Sequence, residues 1–172
     1  MIELRKIVKR YGDLVVLDDI SLHIPAQKIT SFIGPNGAGK STLLSVISRL
    51  IKMDEGEVYI DGKEIRQWKT ADLSRKISIL KQTNTISLKL TIRELVSFGR
   101  FPYSQGNLTK QDWDAVDQAL DYMKLTDIQD KYLHQLSGGQ RQRAYIAMVI
   151  AQDTDYVLHD EPLNNLDMQH AV

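Results

Sequence analysis

The segment that most constrains this chain is a glycine-rich turn between an apolar stretch and a run with helical spacing. Its residues are Gly34, Pro35, Asn36, Gly37, Ala38, Gly39, Lys40, Ser41 and Thr42. Ahead of it, residues 28–33 (KITSFI) read as a strand. Behind it, Leu43, Leu44, Val46, Ile47 and Leu50 recur at helical spacing. Glycines let the backbone wrap closely around an anion, with several N–H groups aimed inward. A helix beginning near Lys40 would turn its positive end toward the same anion. Lys40 supplies a full charge to terminal phosphates, and Ser41 places a hydroxyl where a bridging Mg²⁺ would sit. Gly34, four residues, then Gly39-Lys40-Ser41 is the P-loop pattern, and strand before with helix after is the context it requires.

A second constellation follows a short apolar strand at 156–158, where Asp160 and Glu161 stand side by side. One carboxylate at such a strand end can hold Mg²⁺ and the other can orient or deprotonate an attacking water. Asp160 is assigned to the metal and Glu161 to the water. His159, just before them, reads first as a hydrogen-bonded core residue of a buried strand, with a role beside the metal carboxylate as the alternative.

The remaining elements alternate in kind. Residues 2–8, 15–17, 20–24, 56–60 and 77–80 read as strands, with an Asp61-Gly62 turn after the fourth. Between about 91 and 136 there is no convincing strand. Trp113, Val116, Leu120 and Met123 there have helical spacing, with Thr109 and Asp112 as a capped start. Ala144, Ala147, Ile150 and Ala151 mark one face of a further helix. The expected fold is α/β: a P-loop nucleotide-binding core with a mainly parallel sheet, an N-terminal antiparallel β subdomain and an inserted helical subdomain. Ligands in such sheets bind at the carboxyl ends of strands, where both constellations lie. The strand ending at Asp160 is expected deep in such a sheet when the sheet is complete, and where neighbouring strands are missing, side chains such as Val157 or Leu158 are expected to be exposed.

Composition excludes some functions. The 172 residues carry 22 basic and 22 acidic side chains, for zero formal net charge, so the basic excess of a general nucleic-acid binder is missing. There is no cysteine, hence no disulfide framework or thiolate metal site, as suits a reducing cytoplasm. The longest wholly apolar run, 146–151, is far short of the roughly 20 residues of a membrane-spanning helix. The chain is expected to be soluble, with any membrane role acting through a partner.

Leu136 is followed by Ser137, Gly138, Gly139 and Gln140, a second helix start fit for an anion. P-loop, LSGGQ and the Asp-Glu pair, in this order, resemble the ATP-binding cassette (ABC) family. The resemblance implies that Tyr11 stacks on adenine and that Gln82 senses Mg²⁺ and the attacking water. It also implies that residues 164–167 contact the partner domain, and that ATP and Mg²⁺ are the ligands. Catalysis falls to Glu161, Lys40 and Gln82, and metal binding to Ser41, Gln82 and Asp160. A head-to-tail dimer would sandwich each ATP between one copy's P-loop and Ser137, Gly138, Gly139 and Gln140 of the other.

Phe98-Gly-Arg-Phe-Pro-Tyr103 and residues 160–167 look more narrowly like the ATPases of bacterial importers of iron–siderophore complexes, in particular Gram-positive catecholate members. That implies membrane permease subunits as partners, an extracellular siderophore-binding protein indirectly, and a peripheral place on the cytoplasmic face of the cell membrane. The aromatic segment reads either as a docking surface or as a loop packed on the helical subdomain. The family usually has an aliphatic residue in place of His159. It also continues past Asp167 to a switch histidine that His170 is too near to be. The sequence therefore reads as a single truncated cassette over 1–172, with 1–84 and 137–172 as core and 85–136 as helical subdomain. A soluble non-transport ABC ATPase and a nucleotide-binding fragment without turnover remain the alternatives.

Overall fold

A computed structural model describes residues 1–80 and 89–160. The chain forms two compact units, Met1–Thr70 and Ala71–Val172.

The first unit is built on a four-stranded antiparallel sheet in the order β2-β1-β3-β4. Its strands are β1 (Ile2–Tyr11), β2 (Leu14–Ile24), β3 (Glu55–Ile60) and β4 (Lys63–Glu64). Ile2 pairs with both Ile24 and Ile60, so β1 lies at the centre. The two short strands read at 15–17 and 20–24 are one strand. The uneven alternation of β1 also has a cause. The register shifts between Leu4 and Ile7, and Lys6 adopts a positive φ of 50°. Such a bulge lets consecutive side chains, here Ile7 and Val8, both be buried. Asp61 and Gly62 both have positive φ, as the tight turn between β3 and β4 demands.

Helix α1 (Lys40–Ile47) buries Leu43, Leu44, Val46 and Ile47. Leu50 lies beyond its end and is exposed. The strand expected at 28–33 is not formed. No described strand pairs with that segment, and Ile29 and Ile33 are 98% and 96% exposed. Apolar character alone does not make a strand; the backbone needs a ladder partner.

In the second unit, after α2 (Thr70–Ser74), β5 (Ile77–Leu80) runs parallel to β6 (Tyr156–His159), with Ile77 opposite Tyr156 and Leu80 opposite His159. The chain between them is helical: α3 (Ile92–Ser97), a 3₁₀ turn at Phe98–Arg100, α4 (Phe101–Ser104), α5 (Lys110–Tyr122) and α6 (Gly138–Gln152). Capping boxes start α3 at Thr91 and Glu94, and α5 at Thr109 and Asp112. Leu95, Val96, Val116, Leu120, Ala144 and Ala147 form the heart of its core. Trp113 and Met123 pack against it half-buried. On α6 the buried face includes Ala144, Ala147 and Ala151, as read from the sequence, but Ile150 points outward.

Leu158 is buried while Val157 and His159 are exposed, the alternation of a strand covered on one side. Among the described residues β5 is its single ladder partner. No helix among the described residues is long and apolar enough to cross a membrane.

Gly99 shows how tightly the helices meet. A Cβ built there would stand 2.2 Å from the backbone oxygen of Met148 on α6. Gly99→Ala is therefore expected to push the 98–104 segment off α6 and destabilise the protein by about 1–3 kcal/mol, read as a lower denaturant midpoint. An unchanged midpoint would mean that the contact is loose.

Candidate functional site

In the first unit the glycine-rich turn delivers Lys40 to the first position of α1. Gly39 occupies the N-cap with φ 84°, in the left-handed region. An alanine Cβ there would also meet the Val16 carbonyl oxygen at 2.9 Å and Leu17 at 3.0 Å, so the position tolerates nothing larger than glycine. No side chain caps this helix start, and no acidic residue lies in its first turn. Its leading N–H groups have no intrahelical acceptor by the geometry of a helix.

The ammonium of Lys40 folds back over the loop and donates to the carbonyl oxygens of Gly34 and Pro35, each at 2.8 Å. The loop is further tied by the Ala38 N–H donating to the Pro35 carbonyl at 3.2 Å. An uncapped helix N-terminus and a lysine charge at one small loop form a donor set that fits a phosphate chain. Tyr11 belongs to the same unit, at the end of β1. It is half exposed, with the Lys9 ammonium 5.4 Å from its ring centroid. A ring held open to solvent by its strand suits stacking on a flat ligand.

In the second unit Ser137 is the N-cap of α6. Its hydroxyl accepts from the Gln140 N–H at 3.2 Å, and the Gln140 side-chain oxygen accepts from the Ser137 N–H at 3.0 Å. The two outer residues of the sequence-predicted anion site thus hold each other. Between them, a Cβ on Gly138 or Gly139 would meet nothing within 4 Å, so this helix start is open to an incoming group.

Asp160 follows β6, and its N–H donates to the Leu80 carbonyl at 3.0 Å, which fixes the carboxylate at the carboxyl end of the parallel pair. Beside it, His159 is exposed rather than buried, which corrects the reading of it as a core residue. It sits on the outward side of a strand covered on one face. Desolvation lowers its pKa from the ordinary imidazole value, and the charge of Asp160 acts in the opposite direction. Gln82 and Glu161 lie outside the described residues, as do residues 164–167 and His170.

The aromatic segment divides. Phe98 and Phe101 are 50% and 58% exposed. Tyr103 is half-buried, its ring 3.9 Å from the Arg100 guanidinium carbon and 5.2 Å from that of Arg75. Its hydroxyl donates to the Asp153 carbonyl at 3.1 Å. The segment read as one docking surface or loop thus splits, with Tyr103 turned inward and Arg100 buried with Asp112. A lone arginine amid aromatics, with an aspartate at a helix start downstream, was the available signal. Among the described residues no group of three or more His, Asp or Glu side chains could hold a metal by itself.

The sequence profile of the ABC transporter family matches residues 17–164. The chain is 67% identical, over all its 172 residues and 68% of the relative's length, to the petrobactin import ATP-binding protein YclP of Bacillus subtilis (strain 168). It is 49% identical, over 100% of its own length and 69% of the relative's, to the petrobactin import ATP-binding protein FatE of Bacillus anthracis. A solved dimeric bacterial ABC transporter cassette superposes with a TM-score of 0.82 at 34% identity, covering 97% of this chain and 76% of that one. The α/β fold is that of an ABC cassette, and the chain belongs to the ABC transporter family, whose cassettes bind and hydrolyse ATP.

Proposed function

We propose that this protein is the ATP-binding subunit of an importer of iron–siderophore complexes, peripheral on the cytoplasmic face of a bacterial cell membrane and bound to permease subunits there. The observation that carries this reading is the 67% identity along the whole chain to a relative named for petrobactin import. An extracellular siderophore-binding protein would act on it indirectly, through the permease.

In this reading residues 34–42 cradle the phosphates of ATP, Lys40 neutralises the terminal ones and Tyr11 stacks on the adenine. Gln82 and Glu161 position the water that attacks the γ-phosphorus. Glu161 accepts the water's proton as the bond to the β-phosphate oxygen breaks. When bound, Mg²⁺ would neutralise charge on the β- and γ-phosphates. Ser41, Gln82 and Asp160 are its assigned ligands, a small protein share that suits an ion usually held largely by phosphates and water. Ser137, Gly138, Gly139 and Gln140 would serve the ATP of a second copy in a head-to-tail dimer. Residues 1–84 and 137–172 would form the nucleotide-binding core and 85–136 a helical arm. The helical run from α3 to α5 supports the arm.

The permease contact is assigned to Phe98 and Phe101, exposed on a segment that Gly99 presses onto α6. Phe98→Glu with Phe101→Glu is expected to leave ATP affinity unchanged and to abolish capture of the permease in a pull-down. An intact complex would remove this surface from the docking role. The function itself is tested in proteoliposomes holding the protein with its permease. ATP-dependent movement of a ferric siderophore together with phosphate release supports the reading. Phosphate release without any permease partner would point instead to a soluble ATPase.

A further inference from the structure

Among the described residues of the second unit Arg100 is a buried cation with several partners. It is 7% exposed, and its Nε donates to Asp112 Oδ1 at 2.9 Å. Its Nη1 donates to the carbonyl oxygen of Ala151 at 2.9 Å. Its guanidinium lies against the face of Tyr103, whose hydroxyl donates to the Asp153 carbonyl. Ala151 and Asp153 are at the C-terminal end of α6, where carbonyl groups lack intrahelical donors and the helix dipole is negative. One arginine and one tyrosine therefore serve as side-chain caps for that end. Asp112 completes the joint. The Thr109 N–H and hydroxyl hold its carboxylate below the usual aspartate pKa, with Arg100 assisting, so it remains charged.

The joint has a direction. On one side of Arg100 stand Phe98 and Phe101, open to solvent. On the other lies the last turn of α6, a 15-residue helix whose first turn holds Ser137–Gln140 about 22 Å away at the rise of an α-helix. Gly99 seats the same segment against the Met148 backbone, closer than any side chain would allow.

We infer that Arg100 is a positioning residue that fastens the Phe98–Phe101 surface to the C-terminal end of α6, so that a push on that surface moves the Ser137–Gln140 helix start as part of one rigid body. The inference rests on the transport reading above. Without the arginine the surface would still be present, but it would slide on α6 instead of carrying it.

The test uses the protein assembled with its permease in proteoliposomes, and Arg100→Lys. Lysine keeps the charge opposite Asp112, yet a single ammonium cannot bridge Asp112, the Ala151 carbonyl and the Tyr103 face as a planar guanidinium does. The variant is expected to capture the permease and bind ATP as the wild type does. The amount of ferric siderophore moved per phosphate released should fall at least about fivefold, the lower range of a coupling between sites. An unchanged ratio overturns the inference alone. Parallel losses of melting temperature, assembly, ATP binding and turnover also overturn it, since a merely structural arginine would give that result. Should Arg100→Lys fail to fold, Asp112→Asn decides the question on the same ratio. A wild-type protein that neither captures a permease nor moves a siderophore overturns the transport reading, and this inference with it.

Discussion

Glu161→Gln is expected to leave ATP binding intact and to slow phosphate release at least ~100-fold, the lower range for loss of a general base. The amide keeps the size and shape of the side chain and loses the negative charge that draws a proton from water. ATP that is bound and not cleaved should also prolong any ATP-dependent pairing of two copies. Single-turnover phosphate release and size-exclusion chromatography with ATP read the two effects separately. Near-normal turnover would remove Glu161 from the catalytic role and leave Gln82 as the next candidate to examine.

Lys40→Ala acts earlier, on binding. Its ammonium lies on the loop, 2.8 Å from two carbonyl oxygens, which it would exchange for phosphate oxygens. Losing a charge at hydrogen-bond range weakens ATP affinity at least about tenfold, roughly 1.4 kcal/mol. Titration calorimetry with a non-hydrolysable ATP analogue measures this without interference from turnover. An unchanged affinity would overturn the assignment of residues 34–42 as the phosphate cradle. Together the two variants separate holding the nucleotide from cleaving it.

Much of this was legible in the sequence because the relevant physics is local. Helix α5 begins at Thr109 with Asp112 as its reciprocal cap, as the spacing of those two residues indicates. The Asp61-Gly62 turn needs positive φ, and its residues announce that need. The P-loop residues likewise carry their own instruction, since glycine at the α1 N-cap permits a backbone that a Cβ would block. What the sequence concealed depends on distant partners. Nothing in KITSFI says whether a neighbouring strand will pair with it. Nothing in YVLH says that one face of β6 will be open, and His159 was read as buried for that reason. Arg100 was hidden in the same way. Tyr103 is a near neighbour in the chain, but Asp112 and Ala151 come from other stretches, and only packing brings them to it.

The reciprocal cap between Ser137 and Gln140 has a consequence for discrimination among anions. A free phosphate reaching this helix start finds the N–H groups of Ser137 and Gln140 engaged and must displace a side chain to gain those two. A cap of this kind contributes about 1 kcal/mol, so for a free phosphate the exchange returns little. In the proposed head-to-tail dimer, a triphosphate anchored on the other copy would present its γ-phosphate at a high effective concentration, and for it the same exchange would become favourable. In the proposed dimer this self-satisfaction would favour phosphate that arrives attached over phosphate as a solute.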